Sequence, residues 1–147
     1  MNFQTRCIKC DNKNEGYVVA SIEARCAVEY FDPSENVQKK KFAFKCHRSK
    51  NSEGISVLYP VNTISFHPKC NIFATGGCDG YVDFWNPITK KRILHSHQYP
   101  TSISSICFNC NGNIMAISSS YTFEMGDITH PMDEIYIKKL NDSDYII

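Results

Sequence analysis

The chain has 147 residues, 42% of them hydrophobic and 21% charged, which is the length and apolar content of one globular domain with a buried core. A formal net charge of +1 at pH 7 argues against a strongly basic nucleic-acid binder and against an acidic tail, and leaves local patches undecided. No stretch is apolar over the roughly 20 residues a membrane-spanning helix needs, and the start through Arg6 lacks the apolar run of a signal peptide, so the expectation is a soluble, intracellular chain without membrane contact.

From the N-terminus, the chain reads as short apolar runs with no helical period. Strands are predicted over Thr5 to Cys10, Tyr17 to Ile22 and Cys26 to Phe31. After the loop Asp32-Pro33-Ser34-Glu35-Asn36 comes another, Lys41 to Cys46. A second group runs Val61 to Phe66, Ile72 to Gly76, Tyr81 to Trp85 and Arg92 to His97. Its centre, Phe73 to Asn86, predicts a hairpin on Asp79-Gly80, both residues taking the positive φ of a tight turn. The last group offers Ser102 to Phe108, Ile114 to Ser119 and Glu134 to Leu140, with a polar insertion from Thr122 to Asp133 and no outer strand.

These groups repeat. Tyr59-Pro60, Ile64-x-Phe66 and Asn71-Ile72-x-Ala74 recur as Tyr99-Pro100, Ile106-x-Phe108 and Asn113-Ile114-x-Ala116, offset by 40 residues at the first pair and 42 at the others. That is the roughly 40 to 45 residues of a WD-repeat blade, and Trp85-Asn86 closes the third strand where such a blade carries its Trp-Asp pair. The expected class is therefore an all-β WD-repeat β-propeller, with blades at about 1-50, 58-98 and 99-147. Trp85, Thr75 and Asp79 are spaced for the hydrogen-bonded link of that family, while its histidine ahead of the first strand reads as missing, with Tyr59-Pro60 in its place. Three blades do not close a ring, so two apolar blade faces are expected to be open.

Eight cysteines bring in two further readings. Cys7-x-x-Cys10 and Cys107-x-x-Cys110 have the spacing of zinc half-sites, and a zinc-binding or redox protein is one alternative. Cys7 and Cys107 lie in apolar, strand-like runs, however, where residues three apart point to opposite faces. Reduced cysteines packed as small hydrophobes are the preferred reading, and no metal or cofactor is expected. Cys46-His47 and His95-x-His97 are weaker metal signals, although the second pair would share a strand face. Lys39-Lys40-Lys41 and Lys90-Lys91-Arg92 read as solvated starts of edge strands. No nucleophile elbow, phosphate loop or zinc-protease motif is present, so no enzyme activity is expected.

Gln4-Thr5-Arg6, Ser21 to Asp32, Phe42 to Arg48 and Tyr59-Pro60-Val61-Asn62 resemble the C-terminal half of the budding-uninhibited-by-benzimidazole WD-repeat family of the spindle checkpoint. The resemblance implies a seven-bladed propeller of which this chain supplies roughly blades five to seven. It also implies a nuclear, kinetochore-associated mitotic scaffold, with the cytoplasm as a second location. A sister family, the WD-repeat mRNA-export factors that bind a nucleoporin, shares Phe44-Lys45-Cys46-His47-Arg48. Phe108-Asn109-x-Asn111-Gly112-Asn113-Ile114 leans towards that sister, and Val37 to Lys41 with Tyr99 to Ile103 towards the checkpoint family. Carried over by motif, Arg6, Arg25 and Lys45 would read a phosphothreonine in a Met-Glu-Leu-Thr motif of a kinetochore scaffold. Arg48, and again Arg6, would meet glutamates of GLEBS segments in the checkpoint kinase and its relative. Guanidinium forks suit both ligands. Ala24 replaces the glycine that usually precedes Arg25, which puts the turn that aims Arg25 in question.

Overall fold

A computed structural model describes residues 4–144, so the extreme ends of the first and last sequence units lie outside it. β1 (Thr5–Cys10), β2 (Gly16–Ser21), β3 (Arg25–Tyr30) and β4 (Phe42–Lys45) form an antiparallel sheet in the order β1-β2-β3-β4. Between β3 and β4 the predicted loop holds a single helical turn, α1 (Glu35–Gln38), which the absence of a helical period did not announce. Asp32 accepts from the Ser34 N–H, and the Ser34 carbonyl accepts from Val37 and Gln38, so the turn is set by local polar groups rather than by burial.

A two-stranded hairpin, β5 (Arg48–Lys50) and β6 (Ser56–Leu58), leads to the second sheet. There β7 (Val61–Phe66), β8 (Phe73–Gly77), β9 (Val82–Asn86) and β10 (Lys91–His95) are ordered β10-β9-β8-β7. The third sheet has three strands, β11 (Ile103–Phe108), β12 (Ile114–Ser119) and β13 (Glu134–Lys139). The first strands pack in sequence, β1 on β7 and β7 on β11. Each carries a register shift at the same place, between Thr5 and Cys7, Val61 and Thr63, and Ile103 and Ser105. Arg6, Asn62 and Ser104 are thus equivalent bulge residues, at the sheet edge that also carries the β2–β3, β8–β9 and β12–β13 connections.

The β8–β9 connection departs from the sequence expectation. Only Gly80, at φ +79°, takes a positive φ, and Asp79 does not. The loop is longer than a two-residue turn because Gly77 N–H donates to the Tyr81 carbonyl across Cys78, Asp79 and Gly80. Its geometry is that of a three-residue hairpin with glycine at the left-handed position.

Apolar faces meet between sheets. Val18, Ala20, Cys26 and Val28 of the first sheet pack with Ile64, Phe73 and Trp85 of the second. Val82 and Phe84 of the second pack with Ile103, Ile106, Met115 and Ile117 of the third. The outer faces have no such cover: Ile8 is 59% exposed on β1, and Ile135 and Ile137 are 76% and 68% exposed on β13. Large exposed apolar surface favours association. Sedimentation of the 147-residue chain is therefore expected to show oligomers, and Ile135→Ser with Ile137→Ser to shift it towards monomer.

The cysteines divide. Cys26 and Cys46 are buried with their sulfurs 3.6 Å apart, and that hydrogen bond together with burial pushes the Cys26 thiol well up. Cys78 is also buried and Cys7 and Cys70 are half-buried, but Cys10, Cys107 and Cys110 are exposed, so the expectation of cysteines packed as small hydrophobes does not hold for those three. In β11 the face bearing Ile106 and Phe108 is the packed one, leaving Cys107 on the open side. No three His, Cys, Asp or Glu side chains gather as a metal cluster among the described residues.

Candidate functional site

Trp85 Nε1–H donates to Thr75 Oγ1 at 2.9 Å, and Thr75 Oγ1 lies 2.8 Å from Nε2 of His47. His47 Nδ1–H donates to the Asp79 carboxylate, at 2.9 and 3.1 Å to its two oxygens. The histidine that the sequence reading held to be missing is therefore His47. The β5–β6 hairpin separates it from β7, so Tyr59-Pro60 occupies the place in sequence while His47 occupies the place in space. It is held at φ +45°, and Gly77 makes room for it, since a Cβ there would come within 2.5 Å of Nδ1. Burial is the largest single influence and disfavours its charge, but the hydrogen bond and charge of Asp79, with the nearby Cys46 and Asp83, together outweigh it and raise the His47 pKa.

The basic residues sit at the same edge. Arg25 and Lys45 are direct cross-strand partners, so two cations stand side by side at the start of β3 and the end of β4. Arg6 is at the bulge of β1, on the same edge, two strands from Arg25. Among the described residues Arg25 pairs with Glu23 at 3.8 Å, and at that length, with the arginine side chain 43% exposed, the pair is worth little. Ala24 takes the glycine-like conformation at φ +56°, so the turn before Arg25 is kept despite the methyl group. Its carbonyl accepts from Cys46 N–H and from Arg48 Nη2 at 2.9 Å, tying the turn to the segment after β4. Arg48 Nε is buried and has no hydrogen-bond partner among the described residues.

Between the first and second sheets a cleft of about 690 Å³ is lined by Lys45, His47, Arg48, Tyr59, Asp79, Tyr81, Asp83, Arg92, His95 and Gln98. Tyr59 stands out in the sequence only as part of the repeat, and Tyr81, Asp83 and Gln98 carry no spacing signal as site residues, because each is an isolated polar side chain. Arg92, expected to be a solvated edge charge, lies 3.5 Å from Asp83, whose side chain is buried. Lys90 Nζ sits 4.9 Å over the Phe42 ring, packing the second sheet on the first, whereas Lys39 is an exposed ion pair with Glu35. β4 starts only at Phe42, so the first lysine run precedes the strand instead of starting it. His95 and His97 do not share a strand face. β10 ends at His95, which donates to Asp83 at 2.6 Å and stacks on Tyr81, while His97 lies against Tyr99.

Repeated four-stranded antiparallel sheets, adjacent first strands and the Trp–Thr–His–Asp chain define a blade of a propeller. The chain belongs to the family of the WD domain, G-beta repeat, whose pattern matches residues 39–86 and 88–122, more than half of its length. Among individual proteins it is similar to the mitotic checkpoint protein bub3 of Dictyostelium discoideum, 54% identical over 140 residues, or 95% of this chain and 42% of that protein. It is 46% identical to the mitotic checkpoint protein BUB3.1 of Arabidopsis thaliana over 142 residues, 97% of this chain and 42% of the relative. An mRNA export factor of Sus scrofa is 39% identical over 144 residues, 93% of this chain and 39% of that protein. The chain thus spans well under half the length of these relatives.

Proposed function

We propose that this chain is part of a spindle-checkpoint WD-repeat scaffold that recognises its partners and catalyses nothing. In this reading Arg6, Arg25 and Lys45 bind phosphothreonine motifs of a kinetochore protein. Arg6 and Arg48 bind GLEBS segments of checkpoint kinases, at kinetochores in the nucleus. The observation that carries it is the cross-strand pair Arg25–Lys45 at the edge where the β1 bulge places Arg6. A phosphothreonine brings about −1.5 to −2 charges and three acceptor oxygens to such a cationic edge. Relatives named for the mitotic checkpoint support the same reading, at higher identity than the one named for mRNA export. The export reading is retained as the second, because that relative also covers most of the chain.

Titrating phosphorylated and unphosphorylated Met-Glu-Leu-Thr peptides tests the assignment. Each charge-assisted hydrogen bond contributes about 1.5 to 3 kcal/mol, so Arg25→Ala should weaken the phosphopeptide roughly ten- to a hundredfold. Added salt should shrink the difference. Equal affinity of the wild type for both peptides would end the phosphoreader reading. Pull-down of a checkpoint-kinase segment against a nucleoporin segment separates the two families.

A further inference from the structure

The β12–β13 connection is the counterpart of the tight turns at Ala24 and Asp79, but it is expanded into residues 120–133. The expansion is a built loop. Ser120 Oγ donates to Asp133 at 2.8 Å across its base, and the Tyr121 hydroxyl donates to the Gly126 carbonyl and accepts from Met125 N–H, both at 3.0 Å. Glu124 is its anchor, accepting from Ser102 Oγ of the neighbouring segment and from Thr122 Oγ1. Burial is the largest single influence and opposes the charge of Glu124, but these two hydroxyls together with the backbone N–H groups of Thr122 and Glu124 outweigh it and hold the carboxyl below its usual range.

Much of what this ordered loop shows to solvent is apolar, although the sequence reads it as a polar insertion. Phe123, Met125, Ile128 and Met132 are exposed, Met132 to 85%, and Phe123 is held at φ +58°, a conformation that a bulky side chain rarely adopts. Strain kept at an exposed aromatic residue is the pattern of a functional segment. Beneath it a cavity of about 290 Å³ runs against Tyr99, Pro100, Tyr121, Met125 and Ile128. The loop is acidic: residues 120–134 hold Glu124, Asp127, Asp133 and Glu134 and contain no lysine or arginine, and of these carboxylates Glu124 lines the cavity, together with Asp79. This cavity meets the basic cleft of the first two sheets at Asp79 and Gln98, which line both.

We propose that the 120–133 loop and its cavity are a docking surface for an apolar segment flanked by basic residues, supplied by a protein partner. Adaptable methionines fit irregular apolar side chains, and the carboxylates select the flanking charge. The surface is opposite in sign to the Arg25–Lys45 edge, so it selects a different segment from the acidic or phosphorylated one, and it does not depend on that assignment.

Fluorescence anisotropy with labelled amphipathic Leu/Lys and Leu/Glu peptides against the full chain tests this. The Leu/Lys peptide should bind about tenfold or more tightly than the Leu/Glu peptide. Phe123→Ser with Met125→Ser should remove that binding, and both positions are exposed enough for the fold to survive, as a circular dichroism melt would check. Ile135→Ser with Ile137→Ser, on the open blade face, should leave it unchanged. Equal binding of the two peptides, retention in the Phe123/Met125 variant, or loss in the Ile135/Ile137 variant would each overturn the proposal.

Discussion

Replacing Trp85 by Ala is expected to destabilise the chain by about 3 to 5 kcal/mol. The indole is only 9% exposed and lies 4.5 Å, centroid to centroid, from Phe44 of the first sheet. Truncation would open a cavity between two sheets, not merely within one, because Phe73, Ile64 and Cys46 close the same space. It would also remove the donor to Thr75 Oγ1, a fully buried hydroxyl. Trp85→Phe keeps most of the volume and loses the hydrogen bond, so it should cost only about 1 to 2 kcal/mol, which separates packing from bonding. The loss in the alanine variant is a large share of the roughly 5 to 15 kcal/mol that stabilises a typical domain. Urea denaturation reads it directly; an unchanged midpoint for Trp85→Ala would mean that the indole is not part of the core in solution.

Trp85 was legible in the sequence, and His47 was not, for a definite reason. Trp85 and Thr75 belong to β9 and β8, which are adjacent in the chain, so apolar alternation and a turn signal suffice to place them together. His47 reaches the same site across the β5–β6 hairpin. That hairpin is short, polar and capped by Asn51, whose side chain accepts from Glu53 and Ile55 N–H groups. Such a turn could have been suspected from Asn51 to Gly54, but nothing in the sequence says that its two ends meet. Periodicity likewise placed the strands of the three larger sheets to within a few residues but not β5 and β6, and the repeated bulge that sets Arg6 at the sheet edge left no local mark. The cleft between β4 and β9–β10 depends on sheet-to-sheet packing, which is why Tyr59, Tyr81 and His95 appear as site residues only in three dimensions.

Asp79→Ala should be about as damaging as the loss of Trp85, about 3 to 5 kcal/mol, and should also reverse the dependence of stability on pH. Asp79 accepts from His47 Nδ1–H and from Tyr81 N–H, so its removal leaves a fully buried imidazole without its hydrogen-bonded carboxylate, although the Asp83 charge still acts on it, and frees the β8–β9 turn. In the wild type the His47 pKa is raised in the folded state, so its contribution is fully present below the ordinary histidine value of about 6.5 and is lost as pH rises through the folded value. Without Asp79, burial is the larger influence and lowers the folded value instead. The unfolded state then binds the proton more readily, and stability should rise with pH over the same range. Asp79→Asn distinguishes the parts: it keeps an acceptor for His47 and Tyr81 but removes the charge, so it should cost less than Asp79→Ala and still abolish the wild-type slope. Denaturation midpoints of all three proteins at pH 6 and pH 8 provide the comparison. If the wild type and Asp79→Ala changed in the same direction between those two values, His47 would not be titrating against Asp79, and the tetrad would have to owe its stability to neutral hydrogen bonds alone.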